Sequence, residues 1–158
     1  MTGKMLVGFD GSDESYEAFD LALKMATSYK LPVPPEINVV SVVQRPHGLN
    51  LVDTSSLIDE ATRDFNKQLK VLETRAKAVN IKISTEVAVG CPSRTMAKAA
   101  KEKGCQFILV GRRRRSMLSR LILGSVSRAV ASRAECTVIT VNKNFESASK
   151  VFSPAQAV

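Results

Sequence analysis

The sequence predicts an α/β fold: a five-stranded, mostly parallel sheet with helices on both faces, in a Rossmann-like open sandwich. Three observations carry this. Strand-like and helix-like segments alternate along the chain in the order β-α-β-α-β-α-β-α-β, the pattern in which crossover helices cover a parallel sheet. Residues 37–43, INVVSVV, form a nearly continuous β-branched run, as expected of an interior parallel strand buried on both faces. The chain has 158 residues, 44% of them apolar, enough for one domain with a real core and too few for two ordinary ones. The expected division is a domain over residues 1–142 and a loose tail over 143–158.

Residues 4–9 are short, apolar and β-prone, and Asp10-Gly-Ser-Asp-Glu stops them. Ser12 and Asp13 are both suitable helix caps. Ala18, Phe19, Ala22, Leu23 and Ala26 then make one helical stripe, ended by Pro32, Pro34 and Pro35. After the second strand, residues 44–54 read as a loop and Ser55 or Ser56 as the start of a second helix. Leu57, Ala61, Phe65, Leu69 and Leu72 carry that helix to about residue 78. Residues 81–89 read as a third strand. Pro92 suits the start of a third helix and Gly104 its stop. Residues 105–110 are the fourth strand, a helix covers about 124–132, and residues 136–141 are the fifth strand.

Charge is unevenly placed. The net charge is +8, yet residues 10–20 hold five acids and no base, while residues 111–134 hold seven arginines and no acid. A local basic field attracts phosphate, nucleic acid or an acidic partner. With two tyrosines, six phenylalanines and no tryptophan, there is little material for a base-stacking platform, which disfavours nucleic acid. No stretch approaches the length of a membrane span, and the N-terminal segment lacks the pattern of a secretion signal. Cys91, Cys105 and Cys136 have no metal-site spacing. Their odd number fits a reducing compartment, so a cytoplasmic protein is expected. His47 is the only histidine and stands alone in a loop sequence. With no general base or nucleophile constellation, an enzyme is not expected.

In such sheets ligands bind beyond the carboxyl ends of the strands, near a reversal of strand order. Three segments fall on that edge: Asp10-Gly11-Ser12, Gly90-Cys91-Pro92, and Gly111 followed by Arg112, Arg113, Arg114 and Arg115. Asp10 suits either a ribose hydrogen bond or the capping of its own turn. Gly111 suits close approach of a phosphate to the backbone, or a plain loop. Gly124-Ser125 opens a helix whose free N–H groups and hydroxyl can receive an anion, or is an ordinary cap. Cys91 reads as a reactive thiol or a small loop residue. The arginines serve a specific anion or form a solvated basic face. Neither GxGxxG nor GxxxxGK[ST] is present.

The opening KMLVGFDGSDES and the stretch VGCPSRTMAKAAKEKGCQFILVGRRRRSMLSRLILGSVSRAVASRAECTVITV resemble the universal stress protein family. The resemblance covers almost everything from Lys4 to Val141. It implies a single-domain α/β protein that forms a homodimer through its last strand, here residues 136–141. It also implies, for the nucleotide-binding members, a phosphate motif of glycine, two residues, glycine, nine residues, glycine, then serine or threonine. Carried onto this chain, the first glycine is Gly111 and the closing pair is Gly124-Ser125. The second glycine falls on Arg114, the main departure. Asp10 matches an acidic residue beside the adenosine, and Val42 a backbone position that meets the adenine.

The expected function is therefore adenine-nucleotide binding, with ATP or another adenine nucleotide as cofactor and Mg as a candidate companion ion, in a stress-response regulator. The site residues are Asp10, Val42, Gly111, Arg114, Gly124 and Ser125, and any ATP hydrolysis is slow. Two alternatives stand beside it. One is a nucleotide-free homodimer that docks another protein, an acidic one being suited to the arginines. The other is nonspecific nucleic-acid binding through residues 112–115.

Overall fold

A computed structural model of the chain describes residues 3–28, 34–45, 48, 51–112 and 125–143. The elements run β1 (Lys4–Gly8), α1 (Asp13–Ser28), β2 (Glu36–Val43), α2 (Leu51–Ala78), β3 (Ile83–Val89), α3 (Pro92–Lys103), β4 (Phe107–Gly111), α4 (Ser125–Arg133) and β5 (Thr137–Val141). The strands form one sheet in the order β3-β2-β1-β4-β5, and each neighbouring pair is parallel. The chain builds outward from β1 to β3 on one side, then crosses to β4 on the other. The order thus reverses between β1 and β4, in the middle of the sheet.

The two faces bury different residues, because side chains alternate along a strand. Met5, Val7, Phe9, Ile37, Val39, Leu109 and Val141 lie in one cluster with Phe19 of α1 and Leu69 and Leu72 of α2. Leu6, Val40, Ile108 and Val110 lie in the other with Met96 of α3 and Val130 of α4. Leu6, Phe19, Leu69, Leu72 and Ile108 are fully buried, and each such side chain contributes roughly 1.5–3 kcal/mol. Among the polar side chains that enter the interior is Asn38. Asn38 Nδ2 donates to the Met5 carbonyl at 3.4 Å, and Asn38 Oδ1 accepts from Ser84 Oγ at 2.6 Å.

The expected fold and strand sequence are observed, and several boundaries move, the fourth strand among them, which runs Phe107–Gly111 rather than over 105–110. The second helix begins at Leu51 rather than at Ser55 or Ser56. Ser56 Oγ donates to the Asp53 carbonyl three residues back, so this serine bonds inside the helix instead of capping it. The third strand begins at Ile83 rather than Ile81. Asn80 has φ 58°, and the Ile81 and Asn80 N–H groups donate to the Ala76 and Lys77 carbonyls at 3.0 Å each. This is a Schellman stop with asparagine in the left-handed position, and it leaves Ile81 buried against the core. The end of α3 repeats the device. Gly104 has φ 66°, and the Cys105 and Gly104 N–H groups donate to Ala100 and Lys101.

Candidate functional site

Strand register aligns three of the sequence-derived site residues. Gly8 pairs with Val40 on one side and Val110 on the other. Asp10 and Val42 each lie two residues beyond that level, and Gly111 one residue beyond it. They therefore end three adjacent strands, β1, β2 and β4, at the carboxyl edge where the strand order reverses. Gly90 joins them there, its N–H donating to the Val43 carbonyl at 2.9 Å.

Asp10 is exposed. Its Oδ1 accepts from the Ser12 backbone N–H and hydroxyl, an Asx-type turn that lets Gly11 adopt φ 79°. Ser12 caps α1: its Oγ accepts from Ser15 N–H at 3.2 Å. The capping reading of Asp10 is thus realised in the structure, and its exposed carboxylate remains reachable from solvent. Of the two expected caps, Ser12 serves as N-cap, while Asp13 is the first helical residue and pairs with Lys143 Nζ at 2.6 Å. That contact spans 130 positions of chain and ties the segment after β5 to the start of α1. It lowers the Asp13 pKa and raises that of Lys143, first through the hydrogen bond and then through charge.

Gly111 has a demanding neighbour. A Cβ built there would meet the Glu14 carbonyl carbon at 2.5 Å and the Ser15 nitrogen at 2.7 Å. Both are backbone atoms of the first turn of α1, so the absent side chain is needed for helix–sheet packing whether or not a ligand binds. The next N–H, that of Arg112, donates to the Val141 carbonyl at 2.7 Å. Val42 is half-buried and packs beside the α3-side core. Ser125 is the exposed first residue of α4. Arg114 and Gly124 lie outside the described residues, as do His47 and residues 113–124 as a whole.

Two buried side-chain oxygens among the described residues lack a hydrogen-bond partner, Ser41 Oγ and Asn142 Oδ1. Ser41 precedes Val42, and Asn142 follows β5 directly, so both belong to the carboxyl-end region of the sheet. Sequence patterning had no means of finding either, since an orphaned acceptor is a property of packing. Cys91, also on this edge, is exposed. The Ser93 hydroxyl 3.5 Å away and the Arg94 backbone N–H hold its thiol below the ordinary value. Cys105 is pushed up to about 11, chiefly by burial, and Cys136 is raised for the same reason. Among the described residues no cluster of three or more metal-ligating side chains occurs. No helix among them is long and apolar enough to cross a membrane.

Comparison with known proteins agrees with this architecture. The model of the universal stress protein family matches residues 1–142. The universal stress protein YxiE of Bacillus subtilis is 35% identical, over 89% of this chain and 99% of its own length. The structure of the protein MJ0577 of Methanocaldococcus jannaschii superimposes with a TM-score of 0.75 at 21% identity, over 92% of this chain and 99% of that one. A universal stress protein in complex with cAMP does so with a TM-score of 0.65 at 26% identity, over 88% and 96%. With the family's model spanning the whole sheet and its helices, the chain belongs to the universal stress protein family.

Proposed function

We propose that this protein is a stress-response regulator that binds an adenine nucleotide, ATP, ADP or AMP, at the carboxyl edge of β2, β1 and β4. The observation that carries the proposal is the register-level convergence of Asp10, Val42 and Gly111 at the reversal of strand order. The cAMP complex of a relative sharing the fold supports it. Asp10 would accept from the ribose hydroxyls, and the Val42 backbone would meet the adenine. Ser125 and the first N–H groups of α4 would receive phosphate, where the helix dipole favours an anion. By sequence Gly124 supplies the motif's closing glycine, and Arg114 stands in place of its second one. The orphaned Asn142 Oδ1 on the same edge gives a ligand donor something to satisfy. Magnesium would come with a triphosphate and be held mainly by phosphate oxygens.

The nucleotide supplies the charge and hydrogen-bonding groups that such a regulator reads. The chain's residues hold and orient it, and any hydrolysis is slow for want of a general base. The test is to denature freshly purified protein, chromatograph the released small molecules, and titrate the emptied protein with AMP, ADP and ATP by calorimetry. Binding tighter than about 1 mM, an interaction of ~4 kcal/mol, is expected. No release and no heat at that concentration would overturn the reading.

A second reading, a nucleotide-free homodimer that docks another protein, is favoured by one observation. Gly111 is required by packing against Glu14 and Ser15, so its presence is explained without a ligand. In both readings we propose that β5 pairs with its twofold mate. It is the last strand in the sheet order, and Val138, Ile139 and Thr140 are only half-buried. An open edge of this kind invites covering. Sedimentation equilibrium of the wild type and of an Ile139→Lys variant tests the pairing, the variant being expected as monomer.

A further inference from the structure

A second charged surface is shared by α3 and α4. Arg94, Ala97, Lys98 and Lys101 of α3, Arg133 of α4 and Glu135 beyond it line a groove of about 290 Å³. Arg94, Lys98 and Lys101 are spaced i, i+4 and i+7, so they form one row about 10 Å long down a single helix face. Ala97 keeps the groove between them open. Four cations thus face one acid. Glu135 is already bound to Lys101 Nζ at 2.6 Å, and Lys98 reaches Glu102 loosely at 3.8 Å. Among the described residues neither Arg94 nor Arg133 has a carboxylate partner. Guanidinium groups left in this state are suited to bidentate pairing with an incoming carboxylate.

We infer that this groove docks an acidic helical segment of a partner protein, one carrying carboxylates at i, i+4 and i+7 to match the cation row. The occupant is a peptide rather than a single-stranded nucleic acid because, among the described residues, no aromatic side chain lines the groove to stack a base. It is not the acidic face of α1 from a second copy, although Asp13, Glu17 and Asp20 share the spacing. Asp13 is held by Lys143 and Asp20 by Arg75 within the same chain. The inference is independent of nucleotide binding, since none of the groove's residues is among those proposed to hold the nucleotide.

The experiment measures fluorescence anisotropy of a labelled helical peptide with glutamates at i, i+4 and i+7 against the full chain at low salt. The same peptide with glutamines, and an oligothymidylate, serve as comparison probes. Saturable binding of the glutamate peptide, weakened at least about tenfold in Arg94→Glu/Arg133→Glu and falling with added salt, is expected. Arg94→Gln/Arg133→Gln provides a milder pair, and an unchanged thermal midpoint verifies folding of each. Equal binding of the glutamine peptide, equal binding by both variants, preference for the oligothymidylate, or self-association abolished by the variants would each overturn it. Nucleotide titration of the same variants is expected to match wild type, so failure here is separable from failure of the nucleotide reading.

Discussion

Gly111 and Ser15 are in backbone contact: a Cβ at position 111 would stand 2.7 Å from the Ser15 nitrogen, with the Glu14 carbonyl carbon closer still. The end of β4 and the first turn of α1 are therefore fitted to each other at the candidate site. Gly111→Ala is expected to destabilise the nucleotide-free protein by about 1–3 kcal/mol, since rigid backbone must shift to admit a methyl group. Urea unfolding of protein stripped of ligand measures this. A loss that appears only when nucleotide is present would mean the glycine serves the ligand alone.

The Asp13–Lys143 pair gives stability a defined pH window. Asp13 is depressed below its ordinary 3.8, so its contribution is present above that value and is lost as pH falls through the lower folded value. Lys143 is raised above its ordinary 10.5, so its contribution is full below 10.5 and is lost as pH rises through the higher folded value. Between these limits Asp13→Asn is expected to be less stable than wild type, and the difference to vanish in acid. Both groups are exposed, so added salt is expected to shrink the effect. Chemical denaturation at neutral and acid pH, with and without salt, measures it.

The three thiols are expected to react in a fixed order. Cys91 is exposed, with its thiolate favoured by Ser93 and the start of α3. Cys105 is buried and pushed up to about 11, and Cys136 is partly buried and raised. Since the thiolate is the nucleophile, alkylation of folded protein at neutral pH is expected at Cys91 first. Peptide mapping after short exposure to iodoacetamide reads the order, and equal labelling of all three would contradict it.

Much of this fold was legible because its signals are local. INVVSVV declares a buried parallel strand, and Pro92 and Gly104 bracket α3 where its hydrogen bonds begin and end. What was missed depends on geometry or distance. Ser56 reads as a cap by composition but bonds within a helix already under way. Asn80 takes the left-handed stop that sequence reasoning assigns first to glycine. Lys143 meets Asp13 across nearly the whole chain, a contact no window of residues contains. At the site, Asp10 and Gly111 were each legible as important and each open to two explanations. The structure supplies the packing explanation of both, through Ser12 and through Ser15.

Asp10→Asn separates the two roles of that residue. Asparagine keeps an Oδ1 that can accept from Ser12, so the turn and its cap survive, and stability is expected to change by no more than about 0.5 kcal/mol. On the proposed nucleotide reading, the lost negative charge would weaken a hydrogen bond to a ribose hydroxyl, since charge-assisted bonds are roughly twice as strong as neutral ones. Affinity for AMP and ATP is then expected to fall together by about tenfold, because the proposed contact is to the part the two share. Calorimetric titration beside a thermal melt tests this. A large loss of stability with unchanged affinity would assign Asp10 to the turn alone.

Arg114 replaces the second glycine of the phosphate motif, so its removal asks which phosphates the site accepts. If glycine's left-handed freedom is needed there, a residue with a Cβ costs about 1–2 kcal/mol, and on the proposed nucleotide reading its side chain would compete with the distal phosphates for volume. Arg114→Gly is therefore expected to raise ATP affinity by about tenfold while changing AMP affinity little, because AMP carries no β- or γ-phosphate. Arg112, Arg113 and Arg115 keep the basic field in the variant, which isolates the local effect from general attraction. Parallel titrations with AMP, ADP and ATP read the ratio directly. A drop in ATP affinity, with AMP unchanged, would instead make Arg114 a direct phosphate contact.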